Sequence, residues 1–291
     1  MRPVSTESLE RCRVCGHTLR FVKLIRGERS GKTIPLFACR KCRSFYSRLE
    51  YQNQTSGDVP SGAGALDGHL QNEEYVRNRV RDVLTFASEK RWISAEKARL
   101  LDVGCGVGWS LAVAREMGLQ AVGVEPMGEA ATYATTTLDL DVINALFEDG
   151  LFAPATFDFI VLDQVLEHVP KPTTMLRDVF RALKPSGVLF LAVPPIDWTR
   201  RAVSASLQFP MGAVEVIDKR FGKLASLVKG HDMFRCPEGH ISYFSTTAIG
   251  VLATRCDARV LAQYHAQRFR PRWWSTLGLS TGSFFLQRDG A

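Results

Sequence analysis

The chain has 291 residues, 45% of them hydrophobic and 23% charged, with a formal net charge of +7. These proportions exclude a disordered or collagen-like chain and fit one large globular domain with a small appendage, whose mild basicity admits an anionic partner without demanding one. No apolar run reaches the roughly 20 residues of a membrane span, and MRPVSTESLERCRVC lacks the apolar stretch of a signal peptide, so a cytoplasmic setting is expected.

Seven cysteines stand at 12, 15, 39, 42, 105, 236 and 256. An odd number with close pairing at the front argues against a secreted disulfide framework. Cys12-Arg-Val-Cys15 and Cys39-Arg-Lys-Cys42 are two C-x-x-C knuckles, the donor set of a tetrahedral zinc. Four sulfur ligands leave no open position, so the expected zinc is structural. Gly16 follows the first knuckle, where the turn favours positive φ. The intervening HTLRFVKLIRGERSGKTIPLFA reads as two short strands around a Gly/Ser turn. Residues 1–51 are thus expected to form a zinc ribbon, a unit too small to be held by core burial alone.

Residues 52–72, rich in Gly, Ser and polar groups, read as a flexible linker. In NEEYVRNRVRDVLTFASEKR, by contrast, Val76, Val80, Val83, Leu84 and Ala87 recur at helical spacing. From residue 98 the rhythm becomes strand, loop, helix. ARLLDVG is a buried strand, Gly104, Gly106 and Gly108 punctuate DVGCGVGWS, LAVAREMG is a helix, and LQAVGVE is the next strand. Such a β-α-β unit binds nucleotides at its strand C-termini. The spacing is D-x-G-x-G-x-G, not the G-x-G-x-x-G of dinucleotide sites, and no G-K-[ST] of a P-loop is present. Glu125 ends the second strand, where a carboxylate can accept both hydroxyls of an adenosine ribose. Met127 suits either an adenine face or the core.

LLDVGCGVGWS, AVGVEP, FDFIVLDQVLEHVPKP and LRDVFRALKPSGVLFLAVP, in that order, resemble class I S-adenosylmethionine-dependent methyltransferases. More narrowly, the chain is similar to bacterial members with an N-terminal zinc ribbon, in which a HISYFS-like stretch precedes the penultimate helix. The likeness covers roughly residues 12–50 and 73–265. It implies an α/β, doubly wound, seven-stranded mixed sheet with one antiparallel strand. Strands are expected at 98–103, 119–124, 142–145, 157–162, 188–193, 258–264 and 282–288. The resemblance also implies that Asp102, Gly104, Cys105, Gly106, Gly108 and Asp163 hold S-adenosylmethionine, that Glu125 holds its ribose, and that Leu146, Phe147 and Glu148 flank the adenine.

Methyl transfer is an in-line displacement that consumes a positive charge. The site gains most by aligning the acceptor and, for an acidic acceptor, by removing its proton. Glu167 and His168 follow the fourth strand, and His240 in PEGHISYFS is expected to converge on the same space. His168 is the expected base or acceptor-orienting group, and Glu167 is expected to orient the loop or the following helix N-terminus. Some relatives that methylate quinone precursors hold a divalent cation with this Glu and His plus an acid three residues before the Glu. That position here is Gln164, a poor ligand for a hard cation, which argues against a catalytic metal.

Residues 195–240 read as a lid-like insertion carrying Arg200, Arg201, Lys219, Arg220, Lys223 and Lys229, and Arg268, Arg270 and Arg272 precede Trp273 and Trp274. Three functions fit: methylation of a small molecule (a sugar, nucleotide-sugar or natural-product intermediate), RNA methylation, or non-catalytic cofactor binding. The fourth strand ends without [DNS]-P-P-[YFW], no Pro-Cys nucleophile follows it, and the ribbon lacks a concentration of aromatic platforms, so the small molecule is favoured.

Overall fold

The computed structural model describes residues 11–27, 33–47, 63–94, 97–194, 235–236, 240–264 and 282–290. A seven-stranded sheet forms the main domain. Its strands are β4 (Arg99–Val103), β5 (Gln120–Val124), β6 (Val142–Ile143), β7 (Phe157–Asp163), β8 (Leu183–Ala192), β11 (Ala258–Tyr264) and β12 (Ser283–Arg288). They lie in the order β11-β12-β8-β7-β4-β5-β6. β5, β6, β7 and β8 pair in parallel with their neighbours around β4, while β12 runs antiparallel between β8 and β11. The chain moves from β4 to one side of the sheet and later returns to β7 on the other. The C-terminal ends of β4 and β7 therefore flank the switch point where open α/β sheets bind ligands.

The buried strands need little alternation. Phe159, Ile160, Val161 and Leu162 in β7 and Val188 through Ala192 in β8 are all buried, as expected of strands covered on both faces. β8 starts earlier than the sequence suggests, directly after α5 (Pro172–Ala182), and absorbs the Lys-Pro-Ser-Gly stretch through a register shift against β7. The helix α2 (Glu73–Glu89) buries Val80, Val83, Leu84 and Ala87. The other helices of the main domain are α3 (Trp109–Glu116), α4 (Gly128–Thr136) and α6 (Thr246–Arg255).

The front of the chain forms a second sheet from β1 (Arg20–Gly27), β2 (Thr33–Ala38) and β3 (Phe45–Ser47), joined antiparallel. Two short later strands extend it. β9 (Arg235–Cys236) pairs with β1, and β10 (Ser242–Tyr243) pairs with β3. The ribbon is therefore built partly from residues far downstream and is stitched to the main domain.

One expectation needs correction. Residues 63–71 of the supposed flexible linker form a helix, α1 (Ala63–Gln71). Gly64 and Gly68 disguised it, but Leu66 and Leu70 stand one turn apart and pack against Val107, Trp109, Met127 and Ala130. The insertion at 195–240 lies outside the described residues, apart from β9 and His240, as do the Arg and Trp positions at 268–274. No helix among the described residues is long and apolar enough to cross a membrane.

Candidate functional site

At the end of β4 the chain turns through Gly104–Gly108 into α3. Gly106 adopts φ +56° and donates its N–H to Glu125 Oε2 at 2.8 Å. A Cβ at Gly106 would stand 2.9 Å from His69 Nδ1, so α1 lies directly over the loop. Trp109 Nε1 donates to the His69 carbonyl at 3.2 Å and fastens that helix in place. The other Glu125 oxygen accepts from Met127 N at 2.7 Å. Glu125 thus links the turns after β4 and β5. A carboxylate has about four lone-pair positions, so two remain for ligand hydroxyls.

Asp102, buried, accepts a hydrogen bond from the Ser110 hydroxyl. Burial pushes its carboxyl from 3.8 up to about 7, against the opposing pull of Ser110. Between those values the native state keeps a proton that the unfolded chain releases. The stability that this proton brings is complete below pH 3.8 and is lost as pH rises through about 7. Asp102→Asn should flatten the pH dependence of Tm across that window. An unchanged slope would mean that Asp102 is ionised in the native protein.

Other residues expected at the cofactor split by their surroundings. Cys105 is buried, with its Sγ packed against Gly123, so only its backbone remains available to a ligand. Met127 is 5% exposed and belongs to the core cluster beneath α1. Phe147 packs against the core, Glu148 is exposed, and the exposed apolar side chain of that loop is Leu146. Asp163 pairs with Arg79 Nη2 at 3.0 Å, a partner on α2 that sequence spacing does not reveal.

After β7, Gln164 takes φ +59° and Leu166–His168 make a single 3-10 turn. The rings of His168 and His240 lie 4.8 Å apart, edge to face. The donor atoms of Glu167, His168 and His240 all fall within 4.8 Å of one another. Glu167 is 0% exposed, and neither carboxylate oxygen accepts a hydrogen bond from another described residue. Of the expectation that its side chain orients the loop or the next helix N-terminus, the helix half is corrected. Lys171 occupies the N-cap of α5, and the Glu167 side chain is buried. Burial pushes that carboxyl up to about 8, and burial with the neighbouring His168 draws His240 down to about 3, keeping its imidazole neutral.

A backbone ladder holds this cluster together. Ile241 N donates to Glu167 O at 2.9 Å, and Ser47 N donates to Ile241 O at 3.2 Å. Ser47 Oγ donates to His240 O at 3.1 Å. The Arg13 guanidinium binds Ile241 O at 2.7 Å, Ser242 Oγ at 3.2 Å and Ser47 O at 3.2 Å. Ser245 Oγ both accepts from Ala248 N, capping α6, and donates to Cys42 O. The ribbon and the turn after β7 are one hydrogen-bonded structure.

Within the ribbon, Cys12 and Cys42 Sγ are 3.5 Å apart, as are Cys15 and Cys39 Sγ. All four lie within 4.8 Å of one another, and a tetrahedron of 2.3 Å zinc–sulfur bonds has edges of roughly 3.8 Å. The donor set therefore fits zinc. Gly16 takes φ +73°, and Arg43, at the same place after the second knuckle, takes φ +61°. Tyr46, fully buried, sets its hydroxyl 3.1 Å from Cys12 Sγ.

The family model described as a methyltransferase domain matches residues 73–263. A ubiquinone biosynthesis O-methyltransferase of Maricaulis maris (strain MCS10) is 26% identical over 185 residues, 58% of this chain and 70% of the relative. Its counterpart in Xanthomonas oryzae pv. oryzae (strain PXO99A) is 36% identical over 102 residues, 33% of this chain and 42% of the relative. The chain thus spans less than half the length of the first curated relatives it matches. A solved S-adenosylmethionine-dependent methyltransferase from Aquifex aeolicus is similar at 16% identity and a TM-score of 0.42, covering 68% of this chain and 85% of that one. With the family match running from the start of α2 into β11, this chain belongs to the methyltransferase domain family.

Proposed function

We propose that the protein is an S-adenosylmethionine-dependent methyltransferase that methylates an oxygen of a small molecule. The observation that carries this reading is the juxtaposition, at the switch point of the sheet, of a glycine loop tied to Glu125 and the His168–His240 pair. The name of the curated relatives supports an oxygen acceptor. When bound, the cofactor supplies a sulfonium methyl group.

Glu125 would accept the ribose hydroxyls through its remaining lone pairs, and the Gly104–Gly108 backbone would hold the methionine end. His168, half-buried at the mouth, takes up or orients the acceptor hydroxyl proton as the oxygen gains the methyl. Neutral His240 and the backbone ladder fix the ring of His168. Cys12, Cys15, Cys39 and Cys42 hold a structural zinc.

Glu125→Ala should weaken S-adenosylmethionine binding by at least about 1.5–3 kcal/mol, since ribose bonds and the tie to Gly106 N are lost together. Wild-type affinity in this variant would remove Glu125 from the site. The function itself is tested by incubating the full chain with methyl-labelled S-adenosylmethionine and a cell extract divided into small metabolites and RNA. Label is expected in the small-metabolite fraction. Label in RNA would overturn the acceptor class, and label in neither would favour non-catalytic cofactor binding.

A further inference from the structure

We propose that the four-cysteine cluster is an oxidation site as well as a metal site, entered by a hydroperoxide at Cys15 and closed by a Cys15–Cys39 disulfide. Of these four thiols only Cys15 is half-buried, while Cys12, Cys39 and Cys42 are buried. The oxidation of a thiolate follows its exposure. Cys15 Sγ lies 3.5 Å from Cys39 Sγ, so a partner is already in place. The other pair at 3.5 Å, Cys12 and Cys42, is shielded. Tyr46 is fully buried, with its hydroxyl 3.1 Å from Cys12 Sγ and 3.9 Å from Cys42 Sγ. Cys15 N also donates to Cys12 Sγ at 3.4 Å. Hydrogen bonds to a metal-bound thiolate draw charge from the sulfur and blunt it as a nucleophile.

With hydrogen peroxide as oxidant the step balances. The Cys15 thiolate attacks one peroxide oxygen and releases hydroxide, leaving a sulfenic acid. The Cys39 thiolate then attacks the Cys15 sulfur, forms the S–S bond and displaces a second hydroxide. Two thiolates are oxidised and one peroxide is reduced. Two sulfurs remain, too few to close a tetrahedral site, and the zinc leaves. The consequence reaches the acceptor side through the first knuckle. Arg13 follows Cys12, and its guanidinium lies over the Tyr46 ring at 5.6 Å while binding Ile241 O, Ser242 Oγ and Ser47 O. Val14 O, in the same knuckle, accepts from Arg255 at the end of α6. Without the metal the knuckle no longer fixes Arg13, and the segment carrying His240 loosens from the turn after β7. Methyl transfer then falls, while the glycine loop, resting on α1 and Glu125, keeps its cofactor affinity. This consequence rests on the proposed function; oxidation of the cluster does not.

The test treats the full, zinc-loaded chain with hydrogen peroxide. Zinc release is followed with a chromophoric chelator, and the disulfide is located by peptide mass mapping. Zinc should leave as the Cys15–Cys39 disulfide forms, and dithiothreitol with added Zn2+ should restore the cluster. Cys15→His keeps a Cys3His ligand set and should release its zinc at least about tenfold more slowly. Brief alkylation of the wild type with N-ethylmaleimide needs no variant, and it should label Cys15 before Cys12, Cys39 and Cys42. Absence of zinc before treatment, zinc retained after it, a first disulfide between any other two cysteines, or another cysteine of the cluster labelled first would overturn the proposal. Release from Cys15→His as fast as from the wild type would do the same. Titration of S-adenosylmethionine into the same samples keeps the two readings apart. No binding by the untreated chain, with the Cys15–Cys39 disulfide still forming on oxidation, would sink the proposed function and leave the oxidation site standing.

Discussion

His168→Ala will lower kcat on the acceptor by about 10²–10⁴ while leaving S-adenosylmethionine affinity nearly unchanged. The residue stands in the turn after β7 with its ring against His240, and it takes no part in the Glu125–Gly106 tie that organises the cofactor loop. A change in turnover without a change in cofactor affinity is the signature of a group acting on the acceptor alone. Single-turnover rates with the acceptor identified by labelling, together with calorimetric cofactor titration, measure both terms. Near-wild-type turnover in a folded variant would return His168 to the role of an ordinary turn residue.

Cys39→Ser will release the proposed zinc and disable methyl transfer, yet spare cofactor binding. Closed thiolate sites of this kind contribute apparent binding energies of roughly 10–16 kcal/mol, more than a small ribbon can replace from its own core. The damage should spread in one direction. Cys12, Cys39 and Cys42 share a buried cluster with Leu166, Phe244 and Ala248, and Ser47 in β3 anchors both His240 and Ile241. The glycine loop rests instead on α1 and the Glu125 carboxylate. Metal analysis, turnover and cofactor titration on one preparation should therefore give no zinc, little activity and near-normal affinity. Full activity without zinc would show that the ribbon does not position the acceptor side.

The main sheet was legible because buried strands announce themselves. Runs such as FDFIVL and VLFLAV have no other stable placement in a chain of alternating strands and helices. The knuckles and the glycine loop were legible because their chemistry depends on short fixed spacings. What escaped was non-local or compositionally masked. The helix α1 hid behind two glycines, and β10 is a two-residue strand whose partner lies in the ribbon. The ties from Arg13 and Tyr46 join positions that no periodicity connects. The expectation that His240 converges on the space of Glu167 and His168 rested on its place before the penultimate helix, and the structure sets their side-chain donor atoms within 4.8 Å of one another.

Calorimetric titration of S-adenosylmethionine and of NAD into the wild type and Gly106→Val tests the central claim most directly. Gly106 sits at φ +56° with His69 over its Cα, so a valine both strains the backbone and blocks the loop. The wild type should bind S-adenosylmethionine and not NAD, and the variant should bind neither. Tight NAD binding with none for S-adenosylmethionine, or unchanged S-adenosylmethionine affinity in Gly106→Val, would contradict the placement of this cofactor at the loop between β4 and α3.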